Sequence, residues 1–275
     1  MKLSIITINY NNRDGLRKTI DSIVIQTFND YEWIVIDGGS IDGSEELIKQ
    51  NAKHFSYWVS EPDKGVYNAM NKGLSFVHGE YVCFMNSGDA FYESTTLEKV
   101  FNEDITADLI YGDWVIQKKD SSTSVKAPET ITLDFLYADN ICHQASFIKS
   151  DIIQNYKFNE NYKVVADWEI WVKMLLDGCS MHYVQQIICI FDGNDGISSR
   201  KDDKLIKEKN EMFDNTIPHC FLKVLKDNYR MSEVIKNLNG IQLTNNDLGF
   251  LRWHPRFVKL IKFCIKTTSR MTKFF

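Results

Sequence analysis

Behind the apolar run Tyr81 to Met85 stands Asn86-Ser87-Gly88-Asp89, a polar cluster with one carboxylate where a predicted strand stops. A single carboxylate behind a buried run is where an α/β protein would hold a cation and a diphosphate, so Asp89 is the first candidate for chemistry. Three clusters upstream have the same character: Asn9-Tyr10-Asn11-Asn12, then Asp37-Gly38-Gly39-Ser40 with Asp42, then Glu61 with Asp63-Lys64-Gly65. Asp63 and Lys64 precede a predicted helix N-terminus, whose free N–H groups and dipole favour anions, a place suited to ribose hydroxyls and diphosphate. Taken singly, each cluster also reads as ordinary turn and cap residues. Four of them on one edge of a sheet are more than that reading explains.

The elements that must position these residues repeat a strand, a polar turn and a helix. Lys2 to Tyr10 is a continuous β-rich apolar run, and Asn11 to Asp14 caps a helix carrying Leu16, Ile20, Ile23 and Val24. Trp33 to Ile36 repeats the strand, followed by a helix from near Asp42. Tyr57-Trp58-Val59 repeats it again before a helix with Val66, Ala69, Met70, Leu74 and Val77, and Tyr81 to Met85 is the fourth strand. Such alternation implies an α/β fold with a right-handed parallel sheet and its ligand site at the strands' carboxyl ends. Neither G-x-G-x-x-G nor G-x-x-x-x-G-K-[ST] occurs, so a dinucleotide fold and a P-loop lack their fingerprints. Beyond Asp108 to Trp114 the alternation stops, and His143-Gln144 is expected to open a strand that faces the cleft.

The 275 residues, 44% apolar and 13% aromatic, suit one domain plus an appendage and exclude a disordered chain. Six scattered cysteines without C-x-x-C spacing read as reduced core thiols of a cytoplasmic protein. The N-terminus has no basic stretch leading into a long apolar core, and no run of about 18 apolar residues occurs, so neither export nor a membrane span is expected. The net charge of −5 conceals a basic tail, since Arg252 onward holds seven basic residues and no acidic one. An acidic body argues against nucleic acid as a general partner.

In order and spacing, the chain resembles the inverting family 2 glycosyltransferases of GT-A fold, particularly bacterial enzymes of polysaccharide biosynthesis. The resemblance runs from Leu3 to about Ser199 and rests on Thr7-Ile8-Asn9-Tyr10-Asn11, Asp37-Gly38-Gly39-Ser40-Ile41-Asp42-Gly43-Ser44, Glu61-Pro62-Asp63-Lys64-Gly65-Val66-Tyr67-Asn68-Ala69-Met70-Asn71-Lys72-Gly73, Asn86-Ser87-Gly88-Asp89, His143-Gln144 and Ala166-Asp167-Trp168-Glu169. It implies a nucleotide-sugar donor, a UDP-sugar, with Mg²⁺ or Mn²⁺, and transfer to a hydroxyl of a glycan or lipid-linked oligosaccharide with inversion.

The resemblance also assigns roles. Family members often show Asp-x-Asp-Asp where this chain has Asn86-Ser87-Gly88-Asp89, so Asp89 matches the last acid and is the expected metal ligand, with Asn86 adding an amide oxygen. Asp37 falls where the family places an acid near uracil or ribose, and Gly38 stands where a second acid is usual. Asn9, Asn11, Gly39, Asp63, Lys64, Asn71, Ser87 and Gly88 are expected around the nucleotide sugar. The family's Ala-Arg-Asn segment has Met70 for its Arg, which moves the phosphate's positive partner to Lys64 or Lys72. Asp167 matches the Asp of a Glu-Asp motif and is the expected general base, with His143, Gln144 and Trp168 against donor or acceptor. On a helix from about Asp167 to Asp177, Glu169 points about 200° away from Asp167 and cannot share its role, while Ile170, Met174 and Leu175 form the packing side.

Residues 1–200 are thus expected to form the transferase domain, with 1–112 binding the nucleotide sugar and 113–200 the acceptor, and 201–275 a helical appendage. The loop Phe191 to Arg200 is expected to close over the donor, bringing Arg200 or Lys201 to the diphosphate. On a helical wheel, the tail from Arg256 sets Phe257, Leu260, Ile261, Cys264 and Ile265 opposite Lys259, Lys262, Lys266 and Arg270. Such a helix suits an anionic membrane surface at the inner face of the cell membrane, or packing on protein. A nucleotide-sugar or glycan-binding protein without catalysis is the competing reading, motivated by Asn86, Gly88 and Ala166 where acids are usual. A nucleotidyltransferase is disfavoured by the lack of a Gly-rich phosphate loop.

Overall fold

The computed structural model describes residues 1–102, 105–194 and 203–238. They form two compact units, residues 1–225 and a second that begins at Lys226. In the second unit the described residues continue a helix, α9 (His219–Leu238). The basic tail from Arg256, and Arg200 and Lys201, lie outside the described residues.

The first unit is built on β1 (Leu3–Asn9), α1 (Arg13–Val24), β2 (Tyr31–Asp37), α2 (Ser44–Asn51), β3 (Tyr57–Ser60), α3 (Val66–Leu74) and β4 (Tyr81–Phe84). Every residue of β1 is buried, as a strand covered on both faces requires. Its alternate side chains feed two cores: Ile6 and Ile8 join the one that includes α3, and Leu3 and Ile5 the one that includes α1 and α2. Strands β3, β2, β1 and β4 pair in that order, all parallel, as the alternation implied.

The sheet then changes character. It continues from β4 through β8 (Ser146–Lys149), β6 (Leu109–Lys118) and β9 (Met181–Asp192) to the two-residue β5 (Ala90–Phe91), with β7 (Ser121–Val125) hairpinned on β6. β8 is antiparallel to both β4 and β6, whereas β9 runs parallel to β6. Helices α4 (Thr96–Phe101), α5 (Leu133–Ala138), α6 (Ser150–Tyr156), α7 (Ala166–Leu176) and α8 (Asp203–Thr216) complete the unit. His143–Ala145 is a single 3-10 turn just before β8 rather than part of the strand.

Helix α7 differs from the one-sided helix expected, since Asp167, Trp168, Glu169, Trp171 and Val172 are buried along with Ile170 and Met174. The reason is that α5 and α8 also pack on it, so it has no solvated face over this stretch. Helix α8, assigned by the sequence to the appendage, belongs to the first unit, where Met212 and Phe213 enter the core.

Candidate active site

The register of the parallel strands sets Asn9 beside Asp37 and Asp37 beside Ser60, so the first three loops leave the sheet at one level. They open into a cleft of about 980 Å³. At this level Asp37 is fully buried and accepts from Asn9 Nδ2 (2.7 Å), the Ser40 N–H (2.9 Å) and hydroxyl (2.6 Å), and the Ser60 hydroxyl (2.6 Å). Burial pushes its pKa up, but the bonds from Ser40, Ser60 and Asn9 outweigh it and hold the carboxyl below its ordinary value. Asp37 is not part of the cleft lining; it braces the loops that are. Asn11, with φ 47°, staples the same loops, donating its N–H to Ser40 Oγ (2.7 Å) and accepting the Ile41 N–H (2.9 Å).

Asn9, Asn11, Gly39, Asp63 and Ser87 all line the cleft. Three other expected nucleotide contacts do not. Asn71 is spent as a clamp, donating to the Phe158 carbonyl (2.9 Å) and accepting the Phe158 N–H (2.9 Å). Lys64 is exposed and Gly88 turns with φ 104°, and neither lines the cleft. Lys72 is held by Glu61 (2.9 Å), and the lysine that does line the described cleft is Lys163, which no sequence signal marked.

The fourth loop and the 3-10 turn meet on the far wall. Asp89 is 4% exposed, accepting from Gln144 Nε2 (2.7 Å) and the Asp192 N–H (2.9 Å). Burial dominates here and raises its pKa to about 6, against the two bonds and the charges of His143 and Lys18. The Asp192 carboxylate stands close over Gly88, where an added Cβ would come within 3.3 Å of its Oδ2. Asn86 Nδ2 lies 3.1 Å from His143 Nε2, while Asn86 Oδ1 is buried without a partner.

These groups suit a hard divalent cation: two carboxylates and an orphaned amide oxygen on one wall, with the burial of Asp89 outweighing its bonds and the charges near it. Among the described residues no group of three or more His, Cys, Asp or Glu side chains is placed to hold an ion. Mg²⁺-type ions commonly take one or two carboxylates and complete their shell with substrate phosphates and water, so the wall fits that mode.

Asp167, in the first turn of α7, is 8% exposed and opens onto the cleft. Its Oδ1 accepts from the Tyr67 hydroxyl and its Oδ2 from His143 Nδ1, both at 3.3 Å. Because a carboxylate only accepts, His143 Nδ1 must carry a proton. Burial disfavours the imidazolium, but the bond and charge of Asp167 outweigh it and raise the His143 pKa. Burial, then the charge of Asp167, raise the Tyr67 pKa far enough to keep it a hydroxyl donor. Glu208 of α8 steadies the turn before α7, its Oε1 accepting the N–H groups of Lys163 (2.6 Å), Val164 (2.9 Å) and Val165 (3.3 Å). Trp168, expected against donor or acceptor, faces away from the cleft: its Nε1 donates to the Leu136 carbonyl (2.7 Å) and the Lys209 ammonium sits 4.6 Å from its ring centroid.

The family model for glycosyl transferase family 2 matches residues 4–163, the stretch that supplies most of this cleft. The chain belongs to that family. Its relatives include a PGL/p-HBAD biosynthesis glycosyltransferase of Mycobacterium bovis, 30% identical over 210 residues, covering 73% of this chain and 80% of the relative. Among solved structures, S. aureus TarS 1-349 in complex with UDP-GlcNAc superposes with a TM-score of 0.66 at 16% identity, over 83% of this chain and 71% of that one. The mannosyltransferase PcManGT from Pyrobaculum calidifontis, in complex with GDP-Man and Mn²⁺, gives 0.59 at 14% identity, over 93% and 80%. Of the longer TarS chain this protein spans 43%. These likenesses establish the GT-A architecture, the parallel-dominated sheet flanked by helices described above. A glycosyltransferase of this family acts on a nucleotide sugar. Among its described residues no helix is long and apolar enough to cross a membrane.

Proposed function

We propose that the protein transfers a sugar from a nucleotide-sugar donor, a UDP-sugar, to a hydroxyl of a glycan or lipid-linked acceptor with inversion, in polysaccharide biosynthesis. The observation that carries this reading is Asp167, an acid at the cleft whose two oxygens are oriented by Tyr67 and His143. In a single displacement the acceptor oxygen attacks the anomeric carbon from the face opposite the leaving group. Asp167 takes the hydroxyl proton as the new C–O bond forms, and the nucleoside diphosphate departs with the electron pair of the old one. A bound Mg²⁺ or Mn²⁺ would offset the charge that develops on the diphosphate, with Asp89, Asp192 and Asn86 the residues to hold it. In this reading residues 1–112 hold the donor and 113–200 the acceptor, with Lys163 the cation beside the reacting groups. The basic tail from Arg256 would hold the protein at the cytoplasmic face of the membrane, where lipid-linked acceptors lie.

The test is a panel of nucleotide sugars screened by thermal shift with and without Mn²⁺, followed by donor hydrolysis. One sugar nucleotide should raise Tm, more so with the ion, and be slowly hydrolysed. A protein that binds a donor yet neither hydrolyses nor transfers it is a binding protein, and the proposal falls.

A further inference from the structure

Gly38 and Gly39 look alike in sequence and differ in why they are glycine. Gly39 has φ 77°, a conformation side chains avoid. Gly38 does not have a positive φ, so its backbone would accept any residue. What excludes a side chain there is the carboxylate of Asp63: a Cβ on Gly38 would come within 2.5 Å of Asp63 Oδ2 and 3.1 Å of the Tyr10 ring. Asp63 is held in that place by its other oxygen, which accepts the Gly65 N–H (2.8 Å). Its Oδ2 therefore occupies the space a side chain at position 38 would fill.

The surroundings show what that oxygen can read. Tyr10 is 66% exposed at the carboxyl end of β1 and, like Asp63 and Gly38, lines the cleft, offering an aromatic face beside a carboxylate. Asp37 cannot serve, since it is fully buried and its oxygens already take four hydrogen bonds. The other acids lining the described cleft are engaged elsewhere, Asp89 with Gln144 and the Asp192 N–H, Asp192 with Asn194, and Asp167 with Tyr67 and His143.

Resting on the donor reading above, we infer that Asp63 reads the nucleobase from the third loop, in the place of an acid at position 38. It thereby selects donors whose base presents an N–H beside a carbonyl. A carboxylate only accepts hydrogen bonds. Uracil N3–H and the guanine N1–H and amino group can donate to it, with the base stacked on Tyr10. Cytosine N3 and adenine N1 present lone pairs where uracil and guanine carry hydrogen, so a base in the same pose leaves the carboxylate facing a like partner and only a shifted one brings its exocyclic amino group to it. An acceptor left without its donor lowers affinity by roughly 10- to 100-fold.

The experiment is calorimetric titration of the full chain with UDP, GDP, CDP and ADP in Mg²⁺, repeated for Asp63→Asn, Gly38→Ala and the exchange Gly38→Asp with Asp63→Gly. The wild type should bind UDP or GDP at least tenfold more tightly than CDP and ADP. Asp63→Asn keeps an oxygen for the Gly65 N–H, so the turn persists, but its amide offers both donor and acceptor and the preference should shrink to within threefold. Gly38→Ala should displace the Asp63 carboxylate and weaken UDP or GDP binding without lowering Tm by more than a few degrees. The exchange should recover at least part of the preference, because the acid returns to the same space from the other loop. If Asp63→Asn discriminates as the wild type does, or the wild type prefers CDP or ADP, the inference is overturned while the protein remains a nucleotide binder. If the wild type binds none of the four, the donor reading itself has failed.

Discussion

Two buried aspartates stand at the same sheet edge and live in opposite conditions. Asp37, at the end of β2, has four donors and a lowered pKa; Asp89, past the end of β4, has two and a pKa raised to about 6. The difference lies in what surrounds each strand end. The end of β2 is ringed by small hydroxyl and amide side chains from three parallel strands in register, while β4 borders β8, where the sheet turns antiparallel and the loop faces a second carboxylate, Asp192. A carboxylate satisfied by its own protein is a brace. One whose hydrogen bonds do not offset its burial is fit to receive positive charge from outside, which is the condition a cation bound with a diphosphate would meet.

Asp167 has two donors and opens onto the cleft, and replacing it should have the largest effect. Asp167→Asn should lower turnover by about 10³-fold or more, within the range expected for removing a general base, while the nucleotide dissociation constant stays within about threefold. Steady-state transfer and equilibrium titration of the same sample check both. A variant that keeps its turnover would show that Asp167 is a brace like Asp37 and that the base lies elsewhere.

Stability against pH sharpens the pair Asp37 and Asp89, because their shifts have opposite sign. Asp89 rises from an ordinary 3.8 to about 6, so its folded form prefers the proton. Burying it charged costs nothing below about pH 4 and about 3 kcal/mol above pH 6 in the apo protein. Asp89→Asn, which mimics the protonated acid, should therefore match the wild type near pH 4 and exceed it by up to about 3 kcal/mol at pH 8. Asp37 is lowered, so its contribution is full above an unfolded value near 3.8 and is lost as pH falls through the folded one. Asp37→Asn should be destabilised at neutral pH, with the deficit shrinking in acid. Urea unfolding between pH 3.5 and 8 checks both; curves of the same sign would erase the distinction.

How far this site was legible in the sequence follows the same division. The parallel half was readable because β1 and β2 are continuous apolar runs and their loops carry the polar residues, so Asn9, Asn11 and Asp63 fall on the cleft as placed. Their partners were not readable. Asn71 and Trp168 have the right residue types but are captured by Phe158 and Leu136, and no local pattern announces contacts 87 and 32 residues away. Tyr67 meets Asp167 across 100 residues, and its apolar neighbours in α3 disguise it as core. The pairing of β9 was not readable either, because it runs parallel to β6 through a bulge, a register that no alternation of polar and apolar residues encodes.

The smallest effect concerns the link between the two walls of the cleft. His143 joins Asp167 through Nδ1 and Asn86 through Nε2, so one ring touches the expected base and the end of the donor sheet. Two amides separate these contacts: an Asn side chain places its nitrogen near the Nδ1 position, and a Gln reaches toward Nε2. His143→Asn keeps a donor for Asp167 and should hold kcat within about threefold of the wild type. His143→Gln leaves Asp167 with Tyr67 alone and should lose about tenfold in kcat with little change in the donor KM, the loss expected for one hydrogen bond to a charged group. Equal losses in the two variants would mean that His143 only fills space. A loss confined to His143→Asn would move its weight to Asn86, and with it from the base to the cation wall around Asp89.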